Sequence, residues 1–200
     1  LVANAPHIPV HLGAMGDSVK TIMTDNKNAF KNGDVFLVNN PHNGGSHLPD
    51  ITAVSPVYIN KQLLFYVATR GHHADIGGIA PGSMPAFATT LEEEGVVIDN
   101  FLLVRDGYFR ESEISALLSK KPYPARNIPE RISDLRAQCA ANARGIQALE
   151  QLVNEMSREV VEAYMQHIQD NAAEAMDEAL NGILGDNNRI EKSFSDRLDD

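Results

Sequence analysis

Two hundred residues are enough for one domain with a sizeable core, or for one domain and a helical extension. The 27 acidic side chains outnumber the 17 basic ones, for a net charge of −10, which argues against nucleic acid as a partner because phosphate binding needs clustered Lys and Arg. No run comes near the roughly 20 apolar residues of a membrane span, and the single cysteine, Cys139, excludes an internal disulfide framework and fits a reducing cytoplasm.

The chain opens on Leu1-Val2-Ala3-Asn4, without an initiator Met or the basic and apolar regions of a signal peptide, so a piece of a longer chain is expected. Met15 to Phe30 then reads as a helix, with Val19, Ile22, Met23 and Phe30 near one face. Short β-branched and aromatic runs at Val35–Val38, Ile51–Tyr58 and Leu63–Thr69 read as strands, the last two closed into a hairpin at Asn60-Lys61. A further strand pair is expected over Val96–Ile98 and Phe101–Val104, turned by Asp99-Asn100, with another turn at Asp106-Gly107.

From Asn127 the period changes. Ile132, Leu135, Cys139, Asn142, Ile146, Leu149, Val153 and Met156 alternate spacings of three and four, the stripe of a helix packed on a partner. Asn127 suits its N-cap and Pro129 its first turn. Asn142 interrupts the stripe as a register device or as a hydrogen bond to the other half. A second stripe runs through Val161, Tyr164, Met165, Ile168, Ala172, Ala175, Met176, Ala179 and Ile183, with Ser157 as its cap and Gly182 and Gly185 as its end. The fold class expected is therefore α+β. A mixed β-sheet and loop region with glycine-rich loops (1–126) is followed by a long antiparallel helical hairpin (127–185) and a polar tail (186–200).

The histidines gather in the first part: His7, His11, His42, His47, His72 and His73, with only His167 in the helices. Imidazoles clustered among strands and loops point to a metal, because imidazole suits Zn, Mn, Fe and Ni. In Asn39-Asn-Pro-His-Asn-Gly-Gly-Ser-His-Leu-Pro-Asp50, the pair Gly44-Gly45 permits a tight turn. The spacing of His47 and Asp50 can then bring an imidazole and a carboxylate onto one cation. The segment Arg70-Gly-His-His-Ala-Asp75 follows a strand. Side chains alternate there, so one of His72 and His73 serves as a ligand and the other as a supporting or substrate-facing group. Asp75 can ligate or orient. The hairpin sets both glycine loops at one end of the sheet, and three ligands with open positions describe a catalytic site. Gly77, Gly78, Gly82 and Ser83 can form a backbone nest for an anion, and Glu94 is a further carboxylate of interest. Cys139 reads as a small buried hydrophobe.

Residues 33–51 and 70–85 resemble hallmark segments of the hydantoinase B/5-oxoprolinase family, and residues 6–15 and 134–142 look like the same family. The resemblance implies an inner portion of an ATP-dependent cyclic-amide hydrolase, opening 5-oxoproline or a hydantoin. The assembly would contain more than one subunit, and a hydantoinase A-type subunit or domain would bind ATP and phosphorylate the substrate. It also implies a divalent metal, Mn, Zn or Fe, on His47, Asp50 and His73, with His72 and Asp75 orienting water or shuttling protons. Two alternatives stay open: an ATP-dependent ketone carboxylase subunit, and a non-catalytic partner subunit. No Gly-x-x-x-x-Gly-Lys-Ser/Thr motif occurs, so the fragment alone is expected to be inactive. One departure stands out: Asn39-Asn40-Pro41 replaces the Asn-Asp-Pro of many members, which would leave Asn40 unable to fill a role held by an aspartate.

Overall fold

The computed structural model describes residues 12–27 and 29–184, so His7, His11, Gly185 and the tail from 186 lie outside the described residues. One compact unit runs to Gln151 and a second starts at Leu152.

The first unit is built on a five-stranded antiparallel sheet in the order β3-β2-β1-β4-β5. Its strands are β1 (Val35–Val38), β2 (Asp50–Ile59), β3 (Gln62–His72), β4 (Phe101–Arg105) and β5 (Tyr108–Phe109). The helices are α1 (Leu12–Asp25), α2 (Leu91–Glu94), α3 (Glu111–Leu118) and α4 (Ile128–Met156), the last of which runs past the unit's boundary. The expected hairpin is β2–β3. Asn60 and Lys61 both take left-handed angles, φ 51° and 65°, as a two-residue turn matching strand twist requires. Asp106 and Gly107, φ 54° and 76°, do the same between β4 and β5.

The alternation of side chains along the strands gives the sheet two apolar faces. Val35, Leu37, Ile51, Ala53 and Leu103 pack on one side with Ile114 and Leu118 of α3 and Ile132 and Leu135 of α4. Phe36, Val38 and Val54 pack on the other with Ile22 of α1, beside Phe30 and Tyr66. Each wholly buried aliphatic side chain contributes about 1.5–3 kcal/mol, so the larger α3–α4 face dominates this unit's stability.

The structure departs from the expected elements at three points. Val96–Ile98 is an extended buried segment, not a ladder strand. Its Val96 N–H goes to Ile76 O, and its Ile98 N–H goes to the side chain of Asn39 at 2.7 Å. Helix α3 was not expected, because at 8 residues it is too short to show a helical period. Thirdly, the part of the α4 stripe from Ile132 to Asn142 packs on the sheet. Asn142 donates to Ala53 O and Ser55 Oγ, each at 3.0 Å, which is the predicted hydrogen bond to the other half. Helix and sheet approach closely there, since a Cβ on Gly145 would stand 2.9 Å from Val67 Cγ1.

The second unit holds the end of α4 and helix α5 (Arg158–Leu184), completing a long C-terminal helical region. Ser157, at φ 70°, breaks the helical path between the two. Gly182 lies inside α5 and does not end it. Tyr164, Ile168 and Met176 of the predicted second stripe are exposed. Among the described residues, no helix is long and apolar enough to cross a membrane.

Candidate metal centre

The first glycine turn leaves β1 through Asn39, whose buried side chain donates to Leu48 O at 2.8 Å and Val96 O at 3.0 Å. Gly44 is left-handed, φ 84°, and a Cβ on it would run into the backbone of α1 at Ser18; one on Gly45 would strike the carbonyl of Asn39. Only glycine fits this close approach. Ser18 Oγ donates to Gly44 O at 2.6 Å, tying the turn to α1. The chain then re-enters the sheet at Asp50, directly after the turn that carries His47.

Asp50 and His72 are paired across the β2–β3 ladder, so their side chains leave the same face. His72 Nδ1 lies 3.1 Å from Asp50 Oδ1, and His47 Nδ1 lies 3.1 Å from Asp50 Oδ2. The two imidazoles are 5.0 Å apart, and the three residues offer ligand atoms within 4.8 Å of one another. The carboxylate is nearly buried, at 3% side-chain exposure, while His47 at 31% and His72 at 54% open toward solvent. Ser46 Oγ donates to Asp50 Oδ2 at 2.7 Å. On the same face, Arg70 donates from Nε to Thr52 Oγ1 and from Nη2 to Ser18 Oγ, both at 2.8 Å. Burial lowers the pKa of this guanidinium and the neighbouring Asp50 charge opposes that shift, so it stays cationic. Two imidazoles and a carboxylate form a nitrogen–oxygen donor set suited to Mn, Fe or Zn. The residues present therefore fit a divalent ion.

His73 does not join this group. It is 2% exposed, and its Nε2 meets Gln138 Oε1 of α4 at 3.0 Å on the opposite face of the sheet. Burial holds its pKa below the ordinary histidine value, outweighing the hydrogen bond to Gln138. The alternation expected for this pair is present, but it is His72 and not His73 that faces Asp50 and His47: β3 stays extended through His72, and the pairing with Asp50 turns His72 toward His47.

Asp75 is also elsewhere. Its Oδ1 accepts from the N–H groups of Gly77 and Arg126, each at 2.9 Å; its Oδ2 accepts from Gly82 N–H at 2.9 Å and Arg126 Nη1 at 2.8 Å. Burial alone would raise its pKa, but these four hydrogen bonds together hold it below the usual aspartate value. The carboxylate braces the second glycine turn and is fully engaged. The N–H groups of Gly77 and Gly82, which could have held an outside anion, are taken by the protein's own carboxylate. Cys139, pushed up to about 11 by burial, is a poor nucleophile at neutral pH.

Asn40 has its own local reason. Its Oδ1 accepts from His42 N–H at 2.9 Å, and its amide donates to Asp99 Oδ2 at 3.0 Å. An aspartate here would face Asp99. We expect Asn40→Asp to cost about 1 kcal/mol, a loss reversed by adding Asp99→Asn, with metal content unchanged. Thermal denaturation and elemental analysis of the variants check this. Asn39, Ser46, Gln138 and Arg126 were not singled out as site residues by sequence. For Gln138, the available signal was a second polar side chain four residues before Asn142 on the same helix.

The hydantoinase B/oxoprolinase family model matches residues 1–200. The chain is 48% identical over 188 residues to the 5-oxoprolinase of Dictyostelium discoideum, covering 94% of this chain and 14% of that protein. It is 30% identical over 183 residues to the caprolactamase subunit beta of Pseudomonas jessenii, covering 92% of this chain and 31% of that one. The crystal structure of the ATP-dependent caprolactamase from the same organism superposes with a TM-score of 0.78 at 31% identity, over 87% of this chain and 29% of that chain. The chain therefore spans a minor share of each relative's length. On the match over its whole length and the identity to these proteins, the chain belongs to the hydantoinase B/oxoprolinase family.

Proposed function

We propose that this chain carries the ring-opening centre of an ATP-dependent cyclic-amide hydrolase, acting on 5-oxoproline, a hydantoin or a similar lactam, with ATP bound by a hydantoinase A-type subunit or domain. The observation that carries the reading is the gathering of His47, Asp50 and His72 at the open end of the β2–β3 hairpin. The names of the relatives, 5-oxoprolinase and ATP-dependent caprolactamase, support the substrate class and the use of ATP.

An unstrained lactam resists water because its amide is resonance-stabilised. Phosphorylation of the amide oxygen on the partner makes the ring carbon electrophilic, and this chain supplies the site where the carbon meets water. His47, Asp50 and His72 would hold a divalent ion, which when bound lowers the pKa of water toward neutrality. His47 Nδ1 and His72 Nδ1 each lie 3.1 Å from an Asp50 oxygen, so these two nitrogens and the carboxylate are the atoms that would hold the ion, each neutral ring then carrying its proton on Nε2. Ser46 holds one Asp50 oxygen in place. The exposure of His72 leaves the centre open on the side from which substrate arrives.

The test uses the full-length protein with its ATP-binding partner. Elemental analysis should find stoichiometric Mn, Zn or Fe, and ATP-dependent opening of 5-oxoproline or a hydantoin should stop when a chelator removes it. Hydrolysis that persists in metal-free protein overturns the centre. Activity confined to ketones with bicarbonate would make the protein a carboxylase instead.

A further inference from the structure

We infer that Gln138 is a positioning residue for this centre, an inference that rests on reading His47, Asp50 and His72 as the ligands. Helix α4 presses Gln138 into the sheet on the face away from the trio, where it is 8% exposed. Its Nε2 donates to Ile51 O at 2.9 Å and to Thr69 O at 3.3 Å. Two carbonyls on that atom settle which end of the amide is NH2, so Oε1 is the acceptor facing His73 Nε2 at 3.0 Å. His73 therefore carries its proton on Nε2.

The three partners are not random points on the sheet. Ile51 follows Asp50, His73 follows His72, and Thr69 lies three residues before His72 on β3. One amide thus bonds to the flanks of both strand ends that carry the centre. Gly71 makes room for it: a Cβ there would lie 3.3 Å from Gln138 Cδ. The run Gly71-His72-His73 then reads as a unit in which glycine admits the amide, one imidazole faces Asp50 and the next grips the amide. The pairing of β2 with β3 ends at Asp50 and His72, where a ladder has no further rung to hold it. His73 N–H to Pro49 O, at 2.8 Å, and the Gln138 amide are what continue it. The spacing between the Asp50 carboxylate and the His72 ring is set from behind the sheet.

The experiment takes the full-length protein with its partner and compares Gln138→Met, which keeps length without hydrogen bonds, with Gln138→Glu, which keeps the acceptor and loses the donor. Zn(II) and Mn(II) are titrated into metal-free protein, and amide exchange of peptides covering 49–52 and 70–73 is followed by mass spectrometry. Both variants should bind the ion ~10–100-fold more weakly. Without any ion, exchange should quicken in those two peptides and stay unchanged elsewhere in the sheet. Wild-type affinity with unchanged exchange in Gln138→Met overturns the inference. So does exchange quickened evenly across the sheet, which marks ordinary destabilisation. If wild-type protein and His72→Ala bind metal equally, the ligand reading fails instead. Amide exchange in the metal-free variants then decides alone whether Gln138 holds these strand ends.

Discussion

Full-length protein carrying His72→Ala should lose its metal and its ring-opening turnover by well over the ~10–100-fold that removal of a supporting partner costs, while melting close to the wild-type temperature. His72 is more than half exposed and contributes little buried surface, so its removal touches the centre and not the core. His73→Ala should do the opposite. It empties a buried site and leaves the Gln138 carbonyl without its donor, at a cost of about 2–4 kcal/mol in stability. Its effect on metal affinity should stay within the range of a supporting residue. Elemental analysis beside thermal melting of the two variants separates these outcomes. A His73→Ala protein that folds normally but holds no metal would return His73 to the ligand set.

Asp75→Asn is expected to cost about 3 kcal/mol at neutral pH, because an amide nitrogen would face donors that now meet a carboxylate oxygen. The dependence on pH follows from the direction of the shift. The folded-state pKa of Asp75 lies below the unfolded value of about 3.9. The stability it contributes is therefore complete above that value. It is lost as pH falls from about 3.9 through the lower folded-state pKa, where the unfolded chain binds a proton that the folded one refuses. Denaturant midpoints of wild type and Asp75→Asn should differ most near neutrality and converge in acid. A gap that stays constant down to about pH 3 would show that the charge of Asp75 is not what braces the turn. Turnover of the folded variant should survive, since Asp75 stands apart from the trio.

Much of the first unit is legible in the amino-acid sequence. Asn60-Lys61 marked the hairpin because a polar pair led by Asn, which tolerates the left-handed region, separates two β-branched and aromatic runs. Gly44-Gly45 marked a tight turn, and the hairpin between two glycine loops placed His47 and Asp50 at the same sheet end as the His-His pair. The three-four stripe through Ile132, Leu135 and Asn142 marked a buried helix face. Val96–Ile98 was misread because a buried apolar run looks like a strand whether its hydrogen bonds go to a neighbour's backbone or, as here, partly to the side chain of Asn39. The short helix α3 offered no period long enough to read.

By itself, the order of residues determined the local geometry of this protein: the turns, the alternation along β3, and that only one of His72 and His73 faces any given side. These depend on contacts a few bonds away, which hard-sphere backbone limits already impose. Only the tertiary structure decided which imidazole faces Asp50, what the α4 stripe packs against, and that Arg126 takes the carboxylate of Asp75 from 51 residues along the chain. A shift of one residue in strand register exchanges every side chain between faces. That register is chosen by the packing of the whole unit, which no segment of the sequence carries alone.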